Sequence, residues 1–311
     1  MYELFNEDCQ EFIDKIDAGT VDLILTDPPY GLMKSLPKFN KEDITDGMVA
    51  KNYTWDTALR PKFFINAAEK ILRQNGKMIL FAQEPFTSDM VKASTTNVNF
   101  NQRCIWLKND FAMSLMAKKA CVSIFEDLLV FQKKHCPYQT HPLYKYFQDI
   151  IKPRIKITKE AKNIFRRRLS HAFESIQFAV PPRNTYEEMT EYFSLDKLPD
   201  YIPYDQLEEI DKKYKSTFNL PPGKKSKTNV FQYSKSIKNR QHPTEKPVAL
   251  LRDLIRTYSR PGDVVLDLTM GSGSTGEAAM LEDRKFLGCE LDKTFYNICK
   301  SRLSTVQDSL Q

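Results

Sequence analysis

The stretch Val21-Asp22-Leu23-Ile24-Leu25-Thr26-Asp27-Pro28-Pro29-Tyr30 decides the fold. Its first half is a short apolar run, and such a run bounded by turn residues reads as a buried strand. Its second half stops that strand. Each proline lacks a backbone donor and pushes the residue before it out of the helical region. The chain therefore leaves the sheet at Asp27 in a stiff, extended turn. In an open α/β sheet, the carboxyl ends of strands are where ligands bind. The turn thus offers a pocket one carboxylate, rigid carbonyls and one aromatic ring. That set can accept hydrogen bonds from an exocyclic amine and stack on a flat heterocycle. A proline-rich strand end with a capping Asp would carry the same letters, so the rest of the chain has to choose between the two.

Working outward, residues 1–132 alternate strand and helix patterns. Tyr2 to Phe5 reads as a strand and Asp8 to Ile16 as a helix, ahead of the strand that ends at Asp27. Residues 31–56 are polar and irregular, a loop long enough to suggest a functional role. Residues 61–73 have helical apolar spacing and stop at Asn75-Gly76, and Lys77 to Ala82 is a strand. After a helix near 86–95 come two more strands, Arg103 to Lys108 and Asp127 to Phe131. The pattern lapses from about His135 and resumes at Pro247. There, a helix over Val248 to Tyr258 precedes the strand Asp263 to Leu268, and Phe286 to Glu290 and Lys293 to Leu303 form a last strand and helix. Helices between strands predict an α/β fold with a mostly parallel sheet.

The middle segment differs in charge. Net charge is +6 over 311 residues, yet residues 133–240 hold 22 Lys/Arg against 12 Asp/Glu. A near-neutral body with a basic insert suggests a polyanion partner for the insert. The stretches around Lys152-Pro153-Arg154 and Arg166-Arg167-Arg168 are its candidate phosphate contacts; an exposed helix face is the plainer account of the arginine run. Aromatics at Phe165, Phe173, Phe178, Tyr186, Tyr192 and Phe193 are expected mostly to form the core of a small helical insert of helix-turn-helix type. The six cysteines form no CxxC and no Cys/His cluster, so no metal site is expected. No apolar run approaches membrane-spanning length and the first residues do not read as a signal peptide, which points to the cytoplasm.

A second motif completes the pattern. The strand Asp263 to Leu268 runs into Thr269-Met270-Gly271-Ser272-Gly273-Ser274-Thr275-Gly276 and a helix, and the next strand ends in Glu290. Glycines let backbone approach a nucleotide, and an acid at the next strand end accepts from ribose hydroxyls. The third glycine of a dinucleotide loop and the lysine of a phosphate loop are both missing. A ligand with an adenosine but no phosphates fits better.

With these two motifs in one chain, the sequence resembles the S-adenosylmethionine-dependent amino-methyltransferases of DNA, in the permuted group whose catalytic motif precedes the cofactor motif. Asp27-Pro28-Pro29-Tyr30 matches the catalytic motif, and Asp267 through Gly271, Gly273, Ser274 and Thr275 the cofactor loop. Glu290 closes the ribose strand, and Asn6-Glu7-Asp8-Cys9 matches the segment whose Asp meets the adenine. His242-Pro243-Thr244-Glu245-Lys246-Pro247 matches the lead-in to the cofactor half, which puts His242 and Lys246 within range of the cofactor's carboxylate end. Thr269 stands where the family usually has an aromatic.

The resemblance implies a Rossmann-like class I methyltransferase with a seven-stranded, mostly parallel sheet. Residues 1–134 and 229–311 would form the catalytic domain and 135–228 a target-recognition insert. It implies S-adenosylmethionine as cofactor, double-stranded DNA as partner, and room for a homodimer and a cognate restriction endonuclease, in a bacterial or phage setting. Asp27 and the turn's carbonyls would accept from the target amine, and Tyr30 would stack on a base flipped out of the duplex. An Asp at the head of the motif is commoner with N6-adenine than with N4-cytosine. The cytosine enzyme, an RNA or protein-amide methyltransferase, and a catalytically silent DNA-binding subunit are the alternatives.

Overall fold

The structure, a computed structural model, describes residues 1–29, 59–109, 121–135, 141–155, 165, 169, 171–173, 178–235 and 245–310. Tyr30, the 31–56 loop, Arg166 to Arg168 and His242 lie outside the described residues. The chain divides into two compact units, Met1–Lys134 with Thr217–Gln311, and His135–Ser216.

In the larger unit the strands are β1 (Tyr2–Phe5), β2 (Val21–Thr26), β3 (Leu72–Ala82), β4 (Val98–Leu107), β5 (Phe125–Lys133), β6 (Val230–Gln232), β7 (Val264–Asp267) and β8 (Lys285–Cys289). Its helices are α1 (Cys9–Lys15), α2 (Pro61–Ile71), α3 (Phe86–Ala93), α4 (Val248–Tyr258), α5 (Ser274–Met280) and α6 (Lys293–Leu310). One sheet runs in the order β1-β8-β7-β2-β3-β5-β4-β6. Pairing is parallel except for β5, which runs antiparallel to both β3 and β4. The sheet has eight strands where the sequence predicted seven. The added one, β6, is a three-residue edge strand whose existence depends on pairing with Ile105 to Leu107.

The side chains of β2 and β3 alternate between two cores, as the period of a strand requires. Ile24, Met78 and Leu80 join Phe12, Phe64, Ala68 and Met90 from α1, α2 and α3 on one face. Leu23, Leu25, Ile79 and Phe81 join Leu250, Leu254, Ala278 and Leu303 from α4, α5 and α6 on the other. Each of the fully buried Leu, Ile, Phe and Met side chains contributes roughly 1.5–3 kcal/mol. The helix of α2 ends at Ile71, and β3 begins at Leu72 rather than at Lys77. Asn75 takes a positive φ of 63°, and the β2–β3 register shifts between Val21 and Leu23.

The central pair, β7 and β2, is parallel, with Leu23 opposite Val265 and Ile24 opposite Leu266. From β7 the chain crosses through α5 to β8, on one side; from β2 it crosses through α2 to β3, on the other. The order therefore reverses between β7 and β2, and the carboxyl ends of both strands meet at that switch point.

Segment 217–228, expected in the insert, belongs to the larger unit. Asn219 ties it there: its N–H donates to the Thr257 carbonyl at 2.8 Å, and its side-chain amide caps the end of α4 at Arg256 and Ser259. The smaller unit has its own aromatic core, including Phe165, Tyr186 and Phe147 with Phe173, Phe178 and Phe193 packed against it. Inside it the hydroxyls of Tyr146 and Tyr186 are 2.6 Å apart, and Tyr186 donates to the Ile202 carbonyl at 2.7 Å. Tyr192 remains exposed.

Candidate active site at the strand switch point

β2 delivers Thr26 and Asp27 to the switch point, and β7 delivers Asp267 beside them. The Thr26 hydroxyl donates to Asp267 Oδ1 at 2.8 Å and lies 2.9 Å from the Thr269 hydroxyl. Asp267 also accepts from the Thr269 N–H at 3.1 Å and from the Thr275 hydroxyl. Burial nonetheless pushes its carboxyl up to about 6, since those donors only partly offset the desolvation. Thr269 donates its hydroxyl to the Asp27 carbonyl at 3.1 Å. The residue that departs from the family pattern is thus a polar bridge from the glycine loop to the proline turn.

The loop after β7 turns through Gly271 and Gly273, both at positive φ. Gly273 precedes α5 at φ 84°, and a Cβ there would lie 2.5 Å from Cys299 Sγ on α6. Ser274 and Thr275 are buried in the first turn of α5. The Gly271 N–H donates to Glu290 Oε2 at 3.0 Å, and the Asp292 N–H to Oε1 at 2.8 Å. Burial raises the Glu290 carboxyl above its ordinary range despite these two bonds. Each oxygen keeps a lone pair for a further donor.

Asp8 caps α1 by accepting from the Gln10 N–H at 2.8 Å. Its segment is held at the end of β8: the Asn6 amide donates to the Glu290 carbonyl at 2.8 Å, and Cys289 Sγ to the Glu7 carbonyl at 3.0 Å. Cys9 is buried, and burial, with Asp8 adding to it, pushes its thiol up to about 12. It is a packing residue rather than a nucleophile. Asp8, Asp27, Asp267, Gly271 and Glu290 thus come together from both ends of the chain.

Lys246, just ahead of α4, is almost fully buried. Its ammonium donates to Asp27 Oδ2, lies 3.4 Å from Glu126 Oε2 and sits 4.9 Å from the centre of the Phe81 ring. Glu126 in turn pairs with Lys108. Burial opposes the charge of Lys246, but Asp27 and Glu126 outweigh it and hold the amine above the ordinary lysine range. Lys246 and Lys108 hold Glu126 below the ordinary glutamate range against its burial. The neighbouring Glu245 accepts from Ser272 Oγ at 2.9 Å and from Arg302 at 2.7 Å.

Glu126, Lys108, Glu245, Ser272 and Arg302 carried no site role in the sequence reading. The visible signal was charge ending two apolar strands, Lys108 after Trp106-Leu107 and Glu126 before Leu128 to Phe131. Antiparallel pairing of β4 with β5 puts both at one edge, with Trp106 opposite Glu126. In the smaller unit Arg154 donates to the Ile150 carbonyl of its own helical stretch. Among the described residues there is no group of His, Cys, Asp and Glu fit to hold a metal, and no helix long and apolar enough to cross a membrane.

A family model described as DNA methylase matches residues 21–301, which takes in the proline turn, the glycine loop and Glu290. The chain belongs to that family. It is 25% identical to the DNA adenine methyltransferase YhdJ of Escherichia coli over 296 residues, 94% of this chain and 79% of that one. A shorter stretch of 73 residues is 44% identical to the putative methylase YubD of Escherichia coli, covering 24% of this chain and about a third (32%) of that relative's length. Among solved structures, an M1.HpyAVI–SAM complex matches with a TM-score of 0.54 and 20% identity, over 97% of this chain and 100% of that one. The PvuII DNA methyltransferase, cytosine-N4-specific, matches with a TM-score of 0.52 and 15% identity, over 99% of this chain and 90% of that one. The fold is accordingly the Rossmann-like class I methyltransferase fold.

Proposed function

We propose that the chain transfers a methyl group from S-adenosylmethionine to the exocyclic N6 of an adenine in double-stranded DNA, in the cytoplasm. The observation that carries this reading is the junction of the two motifs: Asp27 at the end of β2 is tied through Thr269 to the glycine loop whose Gly271 is closed by Glu290.

The donor set suits a nucleoside without phosphates. Asp8, Asp27, Asp267 and Glu290 surround the loop with carboxyls, which would repel a phosphate. The Gly271 N–H, which a phosphate-binding loop would present to its ligand, is committed to Glu290. The free lone pairs of Glu290 suit ribose hydroxyls, and Asp8 suits an adenine amine. When bound, the cofactor supplies an electrophilic methyl group on a sulfonium.

The chain's own part is positioning and electrostatics. An aromatic amine is a weak nucleophile because its lone pair is delocalised into the ring. Hydrogen bonds from that amine to the Asp27 carboxylate and to a carbonyl of the proline turn would pyramidalise the nitrogen and aim its lone pair. The turn is stiff because Pro28 and Pro29 fix it. A base inside a duplex cannot reach such a turn, so it is flipped out at a cost of a few kcal/mol. The basic residues of segment 133–240 supply phosphate contacts that hold the DNA, which by themselves carry no sequence information.

Adenine is favoured over cytosine by the Asp at the head of the motif and by the long alignment with YhdJ, described as an adenine methyltransferase. The fold shared with a cytosine-N4-specific enzyme supports the second reading, N4-cytosine. Incubation with labelled cofactor and duplex DNA, digestion and identification of the labelled nucleoside separate them. Label on N6-methyladenine is expected; label on N4-methylcytosine replaces the first reading by the second.

A further inference from the structure

Asp27 has one anchor that the transfer chemistry does not by itself explain. Its turn is stiff, and its side chain is about one-fifth exposed (21%). The Lys246 ammonium grips it at Oδ2. Lys246 in turn is fixed by Glu126 at 3.4 Å, by the Phe81 ring at 4.9 Å, and by burial of its own side chain. Behind Glu126 stands Lys108. The row therefore alternates in sign: Asp27, Lys246, Glu126, Lys108.

We infer that Lys246 is a positioning residue for Asp27, and that Glu126 is the buried counter-charge that holds Lys246 in place. The inference rests on the reading of Asp27 as the acceptor of the target amine. As that amine gains a methyl group its nitrogen becomes positive, and a nearby carboxylate stabilises it. A lone buried cation beside Asp27 would oppose this. Lys246 is instead shared between two carboxylates, Lys108 neutralises the far end of the row, and Asp27 stays at its partly exposed end. Glu126 Oε2 is buried and faces the Lys246 ammonium at 3.4 Å.

The position of Lys246 in the chain adds to this. Its neighbour Glu245 holds Ser272 of the glycine loop and Arg302 of α6. Two consecutive residues thus grip the two motifs, one each. A shift of the glycine loop is transmitted to the Asp27 carboxylate through a single peptide unit.

The test compares Lys246→Met, Lys246→Arg and Glu126→Gln with the wild-type chain, using labelled S-adenosylmethionine and duplex DNA for kcat and calorimetry for cofactor affinity. Lys246→Met is expected to lower kcat by about 10²–10³-fold, the scale of one lost preorganised charge contact, and to leave cofactor affinity within about threefold. Among the described residues, the charged groups near Asp27 include Lys246, Asp267 on β7 and, behind Lys246, Glu126 on β5 and Lys108 just past β4. Lys246→Arg, which keeps the charge, is expected to recover at least about tenfold in kcat. Glu126→Gln keeps the shape and is expected to lose about tenfold, which serves if Lys246→Met does not fold. An unchanged kcat in Lys246→Met, or a loss confined to cofactor affinity, overturns the inference while wild-type transfer keeps the parent reading. A wild-type chain that labels no nucleic acid overturns both.

Discussion

Thr269 Oγ1 donates to the main-chain carbonyl of Asp27 at 3.1 Å, across 242 residues of sequence. The same hydroxyl lies 2.9 Å from that of Thr26. One side chain therefore sets the distance between the glycine loop and the proline turn. Thr269→Val keeps the shape and removes both contacts. The expected result is a loss of about 1 kcal/mol in stability for the exchanged hydrogen bonds and a fall of about tenfold in kcat. Denaturant unfolding and steady-state transfer assays read the two effects. Unchanged kcat would show that the turn holds its position without the bridge.

Gly273 is a loop position that cannot accept a side chain without strain. Its φ of 84° is strained for any residue with a Cβ, and the Cβ would meet Cys299 Sγ at 2.5 Å. Gly273→Ala is expected to cost roughly 1–3 kcal/mol, seen as a lower melting temperature. Adding Cys299→Ala should recover part of that loss, because the thiol contact goes while the φ remains. Full recovery would mean that contact, not backbone, sets the requirement.

Asp267 gives a pH signature of stability. Its carboxyl is pushed up to about 6 by burial in the folded chain, above the ordinary unfolded value of about 3.9. Between those values the folded state binds more protons, so stability falls as pH rises through the window and is fully lost from this group above about 6. Over two units the change is on the order of 2–3 kcal/mol. Asp267→Asn cannot titrate and should flatten unfolding free energy against pH in that window. Parallel curves for the two chains would contradict the assignment.

Arg302 and Glu245 form a pair with little exposure, 2.7 Å apart, that steadies the glycine loop through Ser272. Removing one member of a buried pair leaves an uncompensated charge and costs about 3–5 kcal/mol. Arg302→Met is expected to weaken cofactor affinity about tenfold in calorimetry and to lower the melting temperature by several degrees. If affinity holds while kcat drops, the pair acts on Asp27 instead of the loop.

The two motifs were legible because each is local. Pro28-Pro29 stops a strand and Gly271-Ser272-Gly273 opens a helix by rules that act within a few residues. The exchange of an aromatic for Thr269 was also visible, but its consequence was not, because the Asp27 carbonyl it bonds lies in a distant strand. The same holds for Lys246, which sits in a recognisable segment but whose partners Asp27 and Glu126 come from β2 and β5. Strand β6 was missed since Val230-Phe231-Gln232 is too short to carry a period, and its pairing with β4 alone defines it. The α2 boundary slipped because Ile71-Leu72 continues the helical apolar spacing into the strand. The smaller unit begins at His135 and ends at Ser216, and Asn219 anchors the still-basic stretch that follows to α4.

The most direct measurement is methyl transfer to duplex DNA by Asp27→Ala beside the wild-type chain, with cofactor affinity measured on both. The expected result is labelled N6-methyladenine from the wild type, no detectable transfer by Asp27→Ala, and cofactor affinity only modestly reduced. Wild-type turnover by Asp27→Ala would contradict the role of the Asp27 carboxylate.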